Sequence, residues 1–119
     1  MNAMSVKDIG DGLLRMYRQK SAKFLIDVAT DDCVFWDNVD AIDKSIEQIR
    51  AEFDLHVGQF KHADARSVRL EELSDGFLQQ YVVEAKLNCG SKAKDQHVCL
   101  IVKLRDARIA RIEEYCTAG

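Results

Sequence analysis

Apolar positions along this chain change period once, near its middle. In the first half they recur every three or four residues. Val6, Ile9, Leu13, Met16 and Tyr17 share one face of a helix that opens at Ser5, where Asp8 completes a capping box. Gly10 and Gly12 weaken that helix, since glycine in a helix interior costs about 1 kcal/mol against alanine. Phe24, Leu25 and Val28 continue a helical face up to Ala29, after which Thr30, Asp31 and Asp32 read as a turn and Cys33, Val34, Phe35 and Trp36 as a short strand. Ile42, Ile46, Ile49, Phe53, Val57 and Phe60 predict a further amphipathic helix ending near Gly58.

The second half switches to strand chemistry over 67–73, 77–89, 96–104 and 108–116, with turns at Ser74-Asp75-Gly76, Cys89-Gly90-Ser91 and Arg105-Asp106-Ala107. Helices first and a meander of antiparallel strands afterwards is an α+β order, with the helices on one face of the sheet. Alternation puts Val98, Leu100, Val102 and Leu104 toward the helices and His97, Cys99, Ile101 and Lys103 away from them. In the last strand Ala110, Ile112, Glu114 and Cys116 oppose Ile109, Arg111, Glu113 and Tyr115, so both faces are partly apolar. The outer sheet face is therefore expected to be covered by a second copy in a homodimer.

At 119 residues the chain supports one core and not two, and no repeat, proline or low-complexity tract marks a boundary, so residues 4–119 read as a single domain. Met1-Asn2-Ala3 ahead of Met4 reads as a vector-derived remnant. A formal charge of -3 with scattered basic residues argues against a nucleic-acid partner. The apolar runs fall far short of the roughly 20 residues that span a bilayer, and no leader opens the chain, so no membrane partner is expected and a cytoplasmic location is the default. Cys33, Cys89, Cys99 and Cys116 lack zinc-site spacing and read as free thiols, with no metal implied. Phosphate loops, dinucleotide fingerprints and Gly-x-Ser-x-Gly elbows are absent, and no cofactor is expected.

Three stretches together resemble the SnoaL-like polyketide cyclases and ketosteroid isomerases of the nuclear transport factor 2-like superfamily. Asp31-Asp32-Cys33-Val34-Phe35-Trp36-Asp37-Asn38 is similar to their turn from second helix into first strand, and residues 42–53 to their third helix. Residues 102–115 are similar to their closing hairpin, with Ala107 where glycine is common. The resemblance implies a cone-shaped, curved antiparallel sheet with N-terminal helices on its concave face around a pocket. It is a likeness of fold rather than of a catalytic signature.

Carried over by position, the resemblance implies that Asp37 is a general base, since a carboxylate facing an apolar cavity can move a proton beside a carbonyl. Asp37 and Asn38 equally suit the turn that leaves the strand. Glu114 falls where the cyclases keep an acid/base residue, or else it is an exposed edge charge paired to Arg108 or Arg111. The acid that isomerases use to hold an enolate falls here on Leu100, or on Cys99 if the hairpin slips by one residue, and neither can do so. Tyr17, Leu100 and Ile112 are expected in the pocket, with Tyr17 either a hydrogen-bond donor or plain core. Trp36 should point away from Asp37, His97 and Cys99 lie two apart on one outer face without a third ligand, and His56 and His62 flank a helix end. Three readings of function follow. The first is a cofactor-free isomerase, cyclase or hydratase-like catalyst acting on a small apolar carbonyl compound. The second is a non-catalytic ligand-binding or dimerisation module. The third is an accessory subunit offering Ile101, Ile109 and Tyr115 to a foreign chain.

Overall fold

A computed structural model describes residues 4–117 of the chain, apart from the side chain of Ser67. The remnant assigned to the first three residues lies outside the described residues. Helix α1, Val6–Gln19, starts at the expected box: the Asp8 N–H donates to Ser5 Oγ over 3.1 Å and the Ser5 N–H to the Asp8 carboxylate over 3.3 Å. Its apolar face, Ile9, Leu13, Met16 and Tyr17, is buried as the spacing predicts. Neighbours press close against Gly10 and Gly12. A Cβ on Gly12 would lie 2.1 Å from the ring of Phe24, and one on Gly10 would lie 2.5 Å from the amide oxygen of Gln79. The Gln79 amide donates to the Gly10 carbonyl over 3.2 Å, docking α1 onto the sheet.

After α2, Lys23–Val28, the strand β1 runs Ala29–Asp37, so Thr30, Asp31 and Asp32 belong to a strand and not to a turn. Polar composition suggested the turn, but pairing overrides it: the register shifts between Ala29 and Val34, and Asp32 reaches out to Arg105 at 2.6 Å. Strand β2, Asp43–Ser45, precedes α3, Ile46–Gly58. The helix thus starts later than the spacing of Ile42 suggests, and Ile42 is exposed. Ser45 and Gln48 form a second capping box, a signal stronger than one more apolar position in phase. Phe60 opens β3, Phe60–Leu73, which is followed by β4, Gly76–Leu87, β5, Gln96–Arg105, and β6, Arg108–Cys116.

These strands form one six-stranded sheet in the order β2-β1-β6-β5-β4-β3. All neighbours are antiparallel except β1 and β6, which run parallel and refine the antiparallel expectation to a mixed sheet. A parallel pair needs a crossover, and here nearly the whole domain supplies it. The core lies between helices and sheet, where Ile9, Phe77, Val102, Ile109 and Ile112 are at most 1% exposed. Strict alternation had put Ile109 on the outer face. A bulge corrects this: Lys103 pairs with Arg111 but Leu104 with Ile109, so Ala110 is the extra residue and Ile109 turns inward. The outer apolar trio of Ile101, Ile109 and Tyr115 is therefore not a continuous surface. Among the described residues no helix is long and apolar enough to cross a membrane.

The β5–β6 hairpin closes through Asp106 and Ala107 with φ of 52° and 63°, both left-handed. Alanine is strained there where glycine is not. Ala107→Gly is expected to stabilise the fold by about 1 kcal/mol, read as a higher thermal midpoint; a lower midpoint would show the turn to be unstrained.

Candidate active site

A cavity of about 260 Å³ opens between the helices and the sheet. Tyr17, Asp37, Leu100, Ile112 and Glu114 all line it, so the structure brings the five sequence-named residues to one place. Four elements do this, α1, β1, β5 and β6. Helix α1 presents Tyr17 in its buried stripe. Strand β6 alternates Ile112, Glu114 and Cys116 into the cavity. The parallel register sets Asp37 of β1 directly opposite Glu114, and the Asn38 N–H donates to the Glu114 carbonyl over 3.1 Å. Leu100 pairs with Glu114 and Cys99 with Tyr115, which settles the hairpin register in favour of Leu100 on the cavity side.

The two carboxylates are held differently. Asp37 Oδ1 accepts the N–H groups of Val39 and Asp40, each over 2.9 Å, and Oδ2 lies 3.8 Å from Lys44 Nζ. Asp37 is thus at once a cavity residue and the anchor of the turn that follows its strand. Glu114 makes no ion pair among the described residues, and Arg111 turns instead to Asp43 and Glu113 at 3.2 and 3.4 Å. Burial, followed by the negative charge of Asp37, pushes the Glu114 carboxyl up to about 7, with Cys116 and Lys44 opposing. The Cys116 thiol is pushed up to about 11, first by burial and then by Glu114 and Asp37.

The sequence did not point to Lys44 or Tyr81. Lys44 is 4% exposed and joins Asp37, Asp40 and, at 3.0 Å, Glu52, so one cation ties the turn after β1 to α3. Its hydrogen bond to Asp40 is the main cause that pushes the Lys44 ammonium above its ordinary pKa. The spacing from Ile42 to Phe60 places residue 44 in a helix, whose face at that position would be solvated. The Tyr81 hydroxyl lies 3.0 Å from that of Tyr17, both buried, with the rings edge-on at 5.8 Å. Burial raises both phenols well above their ordinary value and keeps them protonated donors. Tyr81 had a signal: Phe77, Gln79, Tyr81, Val83 and Ala85 alternate along β4, and all are buried.

His56 lines the cavity and is shifted toward the neutral form by burial, whereas His62 is exposed. His97 and Cys99 border a groove on the outer face, and Trp36 packs there against Tyr115 with ring centroids 5.3 Å apart. Among the described residues no cluster of three His, Cys, Asp or Glu could hold a metal ion.

No protein-family model and no curated protein matches the chain. Solved structures do match its fold. An NTF2-like protein from Anabaena variabilis superposes with TM-score 0.81 at 17% identity, covering 100% of this chain and 96% of that one. IdmH of Streptomyces antibioticus, a candidate polyketide cyclase, gives 0.78 at 12% identity over 95% and 92%. A protein of ketosteroid isomerase-like fold from Catenulispora acidiphila, solved with trimethylamine, gives 0.77 at 11% identity over 93% and 86%. The chain has the nuclear transport factor 2-like cone fold that the polyketide cyclase-like and ketosteroid isomerase-like structures share.

Two outcomes follow from the charges. Lys44→Met should cost about 2 kcal/mol in urea denaturation, less than for a deeply buried pair because Asp40 and Glu52 can rehydrate. It should also move the Glu114 titration further up, since Lys44 opposes the shift. Folded Glu114 holds its proton to about 7 against an ordinary 4.5, so stability from this group is full below 4.5 and declines as pH rises to 7. Glu114→Gln removes that decline, and the variant should gain on wild type across this window; a constant difference would mean that Glu114 titrates normally.

Proposed function

We propose that the cavity is the active site of a cofactor-free proton-transfer enzyme, an isomerase, cyclase or hydratase-like catalyst acting on a small apolar carbonyl compound. The observation that carries this reading is the Glu114 carboxyl, shifted to about 7 inside a largely apolar cavity. A group with that affinity can take and return a proton near neutral pH. The roles implied by resemblance are redistributed. Glu114 moves the proton, and Asp37, tied by two amides, supplies the charge that tunes it. The Tyr17–Tyr81 pair supplies the donor that Leu100 cannot: one hydroxyl donates to the other, and the second proton is available to a developing enolate oxygen. The cavity lies below the roughly 300–1,000 Å³ typical of sites for drug-sized ligands, which favours a compact substrate.

A second reading, a ligand-binding module without catalysis, is favoured by the engagement of Asp37 in its turn. In either case the outer face, where Trp36 and the exposed Tyr115 meet, supports pairing with a second copy.

The two readings separate in a deuterium-exchange screen. Small cyclic and aryl ketones would be incubated with the protein in D₂O and followed by proton NMR at the carbon beside the carbonyl. Wild type should accelerate exchange of at least one, and Glu114→Gln should slow it about 10²–10⁴-fold, with a smaller loss for Tyr17→Phe. Equal rates for wild type and Glu114→Gln would leave the binding module.

A further inference from the structure

We infer that Asn38 is a positioning residue for Glu114: its side-chain amide continues the β1–β6 ladder past the point where the backbone of β1 turns away, and so fixes where the Glu114 side chain stands in the cavity. This rests on Glu114 being the group that moves the proton, and adds what holds it in place. Parity along β6 sets up the arrangement. Thr117 turns its N–H toward β5, where the His97 carbonyl accepts it over 3.1 Å, and the Thr117 hydroxyl accepts the His97 N–H over 3.1 Å. Glu114 and Cys116 lie an odd number of residues from Thr117, so their backbone groups turn the other way, toward β1.

In an unbroken parallel ladder one residue of β1 would donate to the carbonyl of residue 114 and accept the N–H of residue 116. Asn38 does both, with different parts of itself. Its backbone N–H donates to the Glu114 carbonyl over 3.1 Å, and its side-chain carbonyl accepts the Cys116 N–H over 2.9 Å. Nδ2 adds a third bond, donating to the Cys116 carbonyl over 3.0 Å. The backbone carbonyl is diverted because the chain is already turning: the Ala41 N–H donates to the Asp37 carbonyl over 2.9 Å, and the amides of Val39 and Asp40 converge on Asp37 Oδ1. The turn that holds Asp37 would therefore release the end of β6 on this side without the Asn38 side chain. Asparagine suits the task because it carries a donor and an acceptor on one short side chain; ionised aspartate lacks the donor and leucine lacks both. Glu114 thus stands between two held points, its own carbonyl and Cys116, whose side chain lines the cavity beside it. Asn38 itself is exposed and borders the groove on the outer face, so it acts through the strand.

The test reads the intact protein by NMR, with Asn38→Leu as the variant closest in shape. In wild type the Cys116 amide should exchange slowly with D₂O. In Asn38→Leu it should exchange fast, and the Glu114 carboxyl, held at about 7 chiefly by burial, should titrate about one unit lower as water reaches it. Ketone exchange should lose about tenfold in kcat with KM nearly unchanged, the pattern of a misplaced group rather than a lost contact. Asn88→Ala is the control for stability alone, since Asn88 Nδ2 ties to the Gly58 carbonyl over 2.8 Å away from the cavity, and it should move none of these. Should Asn38→Leu not fold, Asn38→Ser, which keeps one hydroxyl, is measured in the same way. Fast exchange of the Cys116 amide in wild type, an unmoved Glu114 midpoint once that amide is released, or an equal shift in Asn88→Ala would overturn the inference. A lowered midpoint in the Asn38 variant, together with equal ketone exchange by wild type and Glu114→Gln, removes the proposed function alone. Glu114-dependent exchange with an unmoved midpoint removes the role of Asn38 alone.

Discussion

Asp37 and Glu114 face each other across the one parallel seam of the sheet, and the site is arranged around the repulsion between them. Two carboxylates in a shared, partly enclosed space are costly to ionise together unless donors or cations offset one of them. The chain supplies the offset unequally. Asp37 ends its strand, so the amides of the following turn are free to point at it, and Lys44 lies close by. Glu114 lies within a strand paired on both sides, where neighbouring amides serve the ladder, and burial followed by the charge of Asp37 pushes its carboxyl up to about 7. The different hydrogen bonding of the two acids thus follows from where each falls in its strand.

Much of the remaining structure serves to keep that seam covered. Helix α1 brings Tyr17 onto Tyr81, and it can lie close because Gly10 and Gly12 leave room for Gln79 and Phe24. The low helix propensity of glycine is offset by contact that alanine would obstruct. Close docking still leaves Gln79 Oε1 buried without a hydrogen-bond partner. Helix α3 and the turn after β1 border the mouth, and Lys44 holds them together through carboxylates that also face the cavity. A single lysine therefore links the stability of the rim to the electrostatics of the floor.

The amino-acid sequence by itself determined the α+β order, the buried stripe of α1, the inward face of β5 and the hairpin turn at Asp106 and Ala107. These depend on spacing within one element, and periods of 3.6 and 2 report that directly. It also named five cavity residues, through parity along β6 and resemblance elsewhere. Only the tertiary structure decided the parallel pairing of β1 with β6, the bulge that turns Ile109 inward, the pairing of Tyr17 with Tyr81 and the burial of Lys44. Each of these joins residues far apart in the chain or depends on a register shift, and a one-residue shift reverses which face a side chain meets. The proton affinity of Glu114 belongs to the same class, because its upward shift comes from burial and the neighbouring charge of Asp37, neither of which spacing along a single strand contains.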